Sequence, residues 1–372
     1  MFLAATKRPP YHASNLWSMH MSENTPSSST PCRWGILGTA GIARKVVRAM
    51  HAADNAHPVL MGSRTLDKAE AFAAEHRVDR GCGSYEDVLS DPDIDAVYIP
   101  LPTTLHREWT IKAAEAGKHV LCEKPVAPSV EDARVMIDAC AAAGVQFMDG
   151  VMFMHHARLN QLKDALPKIG DRPTSMMSVH SFKAHDGFFE TNIRVNPDTE
   201  PLGCVGDLVW YNVRFSLFAM QYEMPVRVRA AFQATHDDVP VQATAEIEFA
   251  NGTISVMQSS FVEPTRQWFE ITGPAGTITL RDFVHGPPDE STFDLNIGTT
   301  LNSTETAIEY HRSTESTRNC AQEVEMVRTM SAIATNQESV AEEWSRIAVQ
   351  TQQVVDAIMA SARQGGQAVE VG

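Results

Sequence analysis

The sequence predicts an α/β chain in two parts. The first is an N-terminal Rossmann-type, doubly wound parallel sheet, and the second a C-terminal α+β domain built on a large, mostly antiparallel sheet. Three observations carry this. Up to residue 150, short apolar runs alternate with helix-spaced segments, the pattern of repeated βα units. From Ser175 onward the hydrophobic period becomes two, with turn residues between short runs. The length, 372 residues, exceeds what one ordinary core supports. The divisions read as a disordered lead over 1–31, a nucleotide-binding domain over 32–154 and a second domain over 155–372.

Hydrophobic residues make up 43% and charged residues 21%, as in a soluble globular protein. The net charge of −15 argues against nucleic acid or an anionic membrane surface as partner, since either needs a basic face. Any anionic ligand must be held by local groups. Cys32, Cys82, Cys122, Cys140, Cys204 and Cys320 form no C-x-x-C pair and read as reduced, mostly buried thiols. No apolar run nears the roughly 20 residues that span a bilayer, and residues 1–5 are too short for a signal-peptide centre. The chain reads as cytoplasmic. Residues 1–31 combine Pro9-Pro10 with a serine run and lack periodicity. Met19 or Met21 is an alternative start, and Lys7 and Arg8 ahead of the first acidic residue leave a targeting peptide open.

In order, residues 32–37 form an apolar run that breaks at Gly38-Thr39-Ala40-Gly41-Ile42-Ala43 and becomes helix-like. This reads as strand, tight turn, helix, with alanine in two of the glycine places of G-x-G-x-x-G. Such a turn brings bare backbone and free helix N–H groups to a pyrophosphate, so Gly38, Thr39, Ala40, Gly41 and Ile42 are candidate cofactor contacts. The motif alone also fits an ordinary strand-to-helix connection. Residues 58–62 give the next buried strand, and Ser63-Arg64 with Lys68 follow it. A hydroxyl and two cations there suit the 2′-phosphate of NADP, where NAD would call for a carboxylate; the other reading is a solvated helix start.

Helices over 66–76 and 85–89 lead to a strand over 96–100, and Pro100, Leu101, Thr103 and His106 follow its carboxyl end, where open parallel sheets bind ligands. Thr103 and Thr104 are also natural caps for the helix running to residue 116. The strand over 117–122 exits into Glu123-Lys124-Pro125. Proline restricts the preceding residue, which would hold the Lys124 ammonium at the crevice; the alternative is a surface ion pair at the sheet edge. Residues 146–150 read as a sixth strand.

In the second part, an amphipathic segment over 156–166 precedes alternation over 175–182 and short runs at 227–234, 243–249, 253–259, 268–272 and 276–280, a sheet of about six strands. The stretch 287–317 reads as strands joined by mobile loops, and 322–334 and 342–362 as helices. Residues 203–214 are helical by spacing, and Asp207 and Tyr211, at i and i+4, share one face. A cap-proximal aspartate and a core tyrosine are the structural alternative. His155, His156, His180 and His185 are further polar candidates, but no carboxylate or cysteine stands at metal-ligand spacing, so no metal is expected. Met148, Met152 and Met154 read as apolar filling.

The run 35–43, Glu123-Lys124-Pro125 and the spacing between them resemble the Gfo/Idh/MocA oxidoreductases. Residues 97–106 and 148–152 are similar to the branch with the dihydrodiol and D-xylose dehydrogenase-like members, and the likeness runs from Arg33 to Val371. It implies NADP, a sugar, polyol or cyclic diol substrate, and pairing of subunits through one sheet face into a homodimer or higher homo-oligomer. It also matches Asp207 and Tyr211 to the family's Asp-x-x-x-Tyr form, which other members write with histidine; Val209 stands where glycine is usual. Tyr211 would then be the acid/base and Lys124 the positive site for a developing alkoxide. A cation about 4 Å away at an effective dielectric near 20 contributes roughly 4 kcal/mol, which would bring the phenol nearly three pKa units down. Asp207 would orient Lys124 or a substrate hydroxyl, with Asn192, Arg194, His180 and His185 as substrate-binding candidates. Cofactor-assisted glycoside or epimerase chemistry, and a nonenzymatic NADP-binding regulator, are the alternatives.

Overall fold

The computed structural model describes residues 30–298, 311–318 and 321–371. The readings placed on the lead before residue 30, on 299–310 and on Cys320 lie outside these. Six parallel strands form the first sheet: β1 (Cys32–Leu37), β2 (Ala56–Gly62), β3 (Arg80–Cys82), β4 (Ala96–Ile99), β5 (His119–Cys122) and β6 (Phe147–Asp149). Their spatial order is β3-β2-β1-β4-β5-β6, the dinucleotide-binding order whose direction reverses between β1 and β4. Helices α1 (Ala43–Ala52), α2 (Leu66–His76), α3 (Tyr85–Ser90), α4 (Thr103–Glu115) and α5 (Val130–Ala142) connect them. The three-residue β3 has no apolar run of its own, and its polar Arg80 and small Gly81 explain why it is silent in the sequence.

The second sheet is nine-stranded among the described residues, not six-stranded. After α6 (Arg158–Ala165) it starts with β7 (Ser175–Lys183), and α7 (Phe188–Thr191) and α8 (Trp210–Ala219) intervene. There follow β8 (Pro225–His236), β9 (Val239–Phe249), β10 (Ile254–Ser260), β11 (Val262–Gly273), β12 (Gly276–Leu280), β13 (Glu290–Ile297) and β14 (His311–Arg318), then the helices α9 (Gln322–Ala334) and α10 (Glu342–Arg363), and β15 (Val369–Glu370). The order is β14-β13-β12-β11-β7-β10-β9-β8-β15, antiparallel except for the pair β7 and β10. The strands expected within 287–317 are β13 and β14, whose polar side chains left their bounds unmarked, and the two-residue β15 is the strand without a sequence signal.

One face of this sheet is packed by α8 and α10, which also reach the first sheet. Arg214 of α8 bonds Asp149 at the end of β6 through both guanidinium ends, 2.6 and 3.2 Å, and gives its Nε to Thr351 of α10 at 2.7 Å. Both members of this ion pair are fully buried. Helix α9 packs on α1, and Ser331 accepts the indole N–H of Trp34 at 3.0 Å. No helix of the described residues is long and apolar enough to cross a membrane.

Candidate active site

Gly38 ends β1 with φ +110°, a backbone shape that L side chains avoid, and a Cβ there would stand 3.0 Å from Leu101. The turn is therefore bare main chain. Gly38, Thr39 and Ala40 join Ser63, Arg64, Lys68, Tyr85, Pro100 and Leu101 around an open cleft of about 520 Å³ at the carboxyl ends of β1, β2 and β4. Bare backbone with two cations, Arg64 and Lys68, that have no ion-pair partner among the described residues suits a phosphate-bearing dinucleotide.

Beyond this cleft, β5 delivers Glu123 and Lys124. Glu123 is buried and accepts the Tyr98 hydroxyl at 2.6 Å; burial raises its pKa, against the pull of Tyr98 and Lys124. The Lys124 ammonium points the other way, into the second lobe, where it donates to Asp207 Oδ1 at 2.5 Å and to the Asp207 carbonyl at 2.8 Å. The Lys124–Pro125 peptide is cis.

Asp207 reaches Lys124 because the chain before α8 opens into a wide π turn over Val205–Val209. Gly206 makes the approach possible: a Cβ there would stand 2.9 Å from Pro125 and 2.7 Å from Leu202. Arg194 holds the second carboxylate oxygen, Nε to Oδ2, at 2.9 Å. Burial pushes the Asp207 carboxyl up, but Arg194 and Lys124 outweigh it and hold it well below the ordinary carboxylate range. Tyr211, one turn on, lies with its ring centroid 4.8 Å from the Lys124 ammonium. His180 stands edge-on to that ring at 5.4 Å, its Nδ1 buried without a partner.

The sequence-based expectation for the phenol is reversed. Burial pushes Tyr211 up to about 12, with Glu123 and Asp207 adding to it, against the opposing pull of Lys124. Desolvation of the buried phenol outweighs the pull of the ammonium, whose charge is also paired with Asp207. Tyr211 is thus protonated at neutral pH.

Residues 32–151 match the model described as "Oxidoreductase family, NAD-binding Rossmann fold", and residues 168–279 match the "GFO/IDH/MocA C-terminal domain". A D-xylose 1-dehydrogenase (NADP(+)) of Haloferax volcanii is 34% identical over 247 residues, 66% of this chain and 74% of that one. The chain belongs to the Gfo/Idh/MocA oxidoreductase family. A dTDP-3,4-didehydro-2,6-dideoxy-alpha-D-glucose 3-reductase of Saccharopolyspora spinosa is 30% identical over 266 residues, 70% of this chain and 77% of its own. In fold, this Gfo/Idh/MocA chain superposes on a 3-ketoreductase from Actinomadura kijaniata in complex with NADP and TDP-benzene. The TM-score is 0.79 at 23% identity, covering 89% of this chain and 98% of that one.

Several residues singled out from the sequence of this Gfo/Idh/MocA member stand elsewhere. His106 is a buried strut whose ring nitrogens face the carbonyls of Leu101 at 2.8 Å and of Pro125 and Val126 at 3.1 Å, so it has no nitrogen left for a cofactor. Thr103 is fully buried at the start of α4, its N–H and hydroxyl both taken by Glu200 of the second lobe at 3.0 and 2.5 Å. Thr104 donates to the Asp198 carbonyl. The helix is capped by a carboxylate from a distant loop, not by its own threonines. Gly41 and Ile42 lead into α1 outside the cleft lining, with Ile42 exposed.

Among the described residues, the His185 ring bonds only the Asp186 carbonyl, and the Asn192 side chain only the Arg194 N–H. His155 is stacked on Trp344, and His156 joins Ser291 to the Arg158 N–H; both are core residues. No three His, Cys, Asp or Glu of the described residues are grouped as metal ligands. Glu200, Tyr98 and His285, which faces Tyr211, were missed, and no local pattern marks them because each acts across a lobe or sheet.

Proposed function

We propose that the chain is an NADP-dependent oxidoreductase that moves a hydride between the nicotinamide ring and a hydroxyl-bearing carbon of a sugar, polyol or cyclic diol. Tyr211 is its acid/base, assisted by Lys124. One observation carries the reading: at the end of β5, the strand next to the cleft-lining β4, an ammonium from the first lobe lies 4.8 Å from the ring centroid of a phenol from the second. NADP(H), when bound, supplies or accepts the hydride. In reduction, Tyr211 gives its proton to the oxygen of the carbonyl, and Lys124 stabilises negative charge on that oxygen. Asp207 fixes the Lys124 ammonium and Arg194 fixes Asp207, so the proton donor acts in a preset frame. The NADP-named dehydrogenase among the relatives supports the cofactor, and its sugar substrate supports the substrate class.

Gly38, Thr39 and Ala40 would hold the pyrophosphate, and Ser63, Arg64 and Lys68 the 2′-phosphate. Arg64→Ala is expected to weaken NADPH about 10- to 100-fold in fluorescence titration while NADH changes less than about threefold; equal losses would reassign the cofactor. A panel of aldoses, polyols and cyclic diols with NADP+, followed at the absorbance of the reduced nicotinamide, tests the activity itself. No turnover on any member, or turnover unaffected by loss of Tyr211, would reject it.

The same reading extends to assembly through the open face of the second sheet. Met177 there is 51% exposed, and Val256 and Glu270 are its neighbours across the strands. Sedimentation velocity is expected to give a dimer or larger homo-oligomer, and Met177→Glu to shift it toward monomer.

A further inference from the structure

We infer that His285 is a substrate-binding residue that hydrogen-bonds a hydroxyl on the carbon next to the reacting one, so that the site selects vicinal diols within the proposed substrate class. The inference rests on the function proposed above. His285 lies between β12 and β13, past residue 279 where the family match ends. Its ring centroid is 6.5 Å from that of Tyr211 and 6.0 Å from that of His180, edge-on to both. The residue is exposed, and neither ring nitrogen has a hydrogen-bond partner among the described residues.

Its backbone, by contrast, is fastened. The His285 N–H donates to Gln267 Oε1 at 2.8 Å, and Gln267 Nε2 donates to the His285 carbonyl at 3.3 Å. Gln267 pairs with His180 across β11 and β7, so one amide fixes His285 relative to the strand beside Tyr211. The neighbours are fixed too. Gln322 donates to the Val284 carbonyl at 3.1 Å, Phe283 N–H to the Gln267 carbonyl at 3.2 Å, and Arg158 pairs with Asp282 at 2.5 Å. An idle imidazole on a segment secured at four successive residues is preorganised for a ligand.

The charged and titratable groups around the ring come from every element that meets it. They are Lys45 of α1, Lys124 after β5, Asp207 of the π turn, Glu323 of α9, and His180 and Tyr211. Desolvation of its inner edge, then Lys45 and Lys124, hold the imidazole below its ordinary pKa against Glu323 and Asp207. It is neutral at pH 7, with one donor and one acceptor, the complement of a hydroxyl. Because it stands beside the phenol and not on it, the oxygen it serves neighbours the one that Tyr211 protonates.

The test compares D-xylose with 2-deoxy-D-xylose in wild type, His285→Ala and His285→Gln, all NADP+-saturated. His285→Ala is expected to raise KM for D-xylose about 10- to 100-fold with kcat within about threefold, and to leave KM for the deoxy sugar unchanged; His285→Gln recovers part of the loss. Equal losses on both sugars, an unchanged KM for D-xylose, or no wild-type preference for D-xylose overturns the inference. Calorimetric titration of the NADPH-saturated proteins with the same sugars reads the preference without turnover. A wild type that binds D-xylose preferentially but oxidises neither sugar therefore fails the proposed function alone.

Discussion

Replacing Tyr211 by phenylalanine is expected to lower kcat about 10²- to 10⁴-fold while NADPH affinity stays as it was. Among the described residues of the Lys124, Asp207 and Tyr211 cluster, the phenol is the proton-bearing group outside the ion pairs: Lys124 is bound on two sides by Asp207, and Asp207 is held ionised by Lys124 and Arg194. Lys124→Ala is expected to cost a similar factor, because it removes the charge under the developing alkoxide and leaves Asp207 without its ammonium. Stopped-flow turnover beside NADPH fluorescence separates chemistry from binding. If both variants turn over at wild-type rate, the assignment of roles fails.

A pH signature accompanies this. With Tyr211 near 12, the proton donor is in place throughout the neutral range, so kcat/KM for carbonyl reduction is expected to be flat from about pH 6 to 9. Oxidation needs the deprotonated form and is expected to rise about tenfold per pH unit over the same range. Tyr211→Phe should abolish that slope. A slope that survives in the variant would place the base elsewhere.

The second large effect concerns stability. Arg214→Met is expected to cost about 3–5 kcal/mol in urea unfolding, because it leaves the Asp149 carboxyl unpaired in the interior. The pair Arg214→Met with Asp149→Leu should recover most of that loss, since apolar partners of similar volume leave no buried charge unpaired. Equal destabilisation by the single and double variants would mean that the ion pair is not what holds the two sheets together here.

The first sheet and the Lys124, Asp207 and Tyr211 cluster were legible in the sequence for different reasons. Buried parallel strands such as β1, β4 and β5 are apolar runs, and Glu123-Lys124-Pro125 breaks one of them with charge. Asp207 and Tyr211 were visible as one helical face, though the π turn that seats Asp207 on Lys124 was not; at Gly206 it passes close to Pro125, 81 residues earlier in the chain. His106 and Thr103 sat at the correct strand end but were spent internally. Their partners, three carbonyls and Glu200, are unreadable from local spacing. The error over the Tyr211 phenol has a similar origin: the burial that outweighs the Lys124 charge comes from residues distant in the chain, Phe153 and His180 among them.

The Glu200 cap bears on how this enzyme can be dissected. Residues 32–151 hold every strand of a complete nucleotide-binding sheet, and by topology they invite expression as a stand-alone module. Yet cutting there strips α4 of the carboxylate at its first turn, leaves Asp149 without Arg214 and Trp34 without Ser331. The fragment would inherit the architecture and lose the bonds that finish it, so evolutionary or engineered exchange of this half demands matching residues in whatever replaces the other.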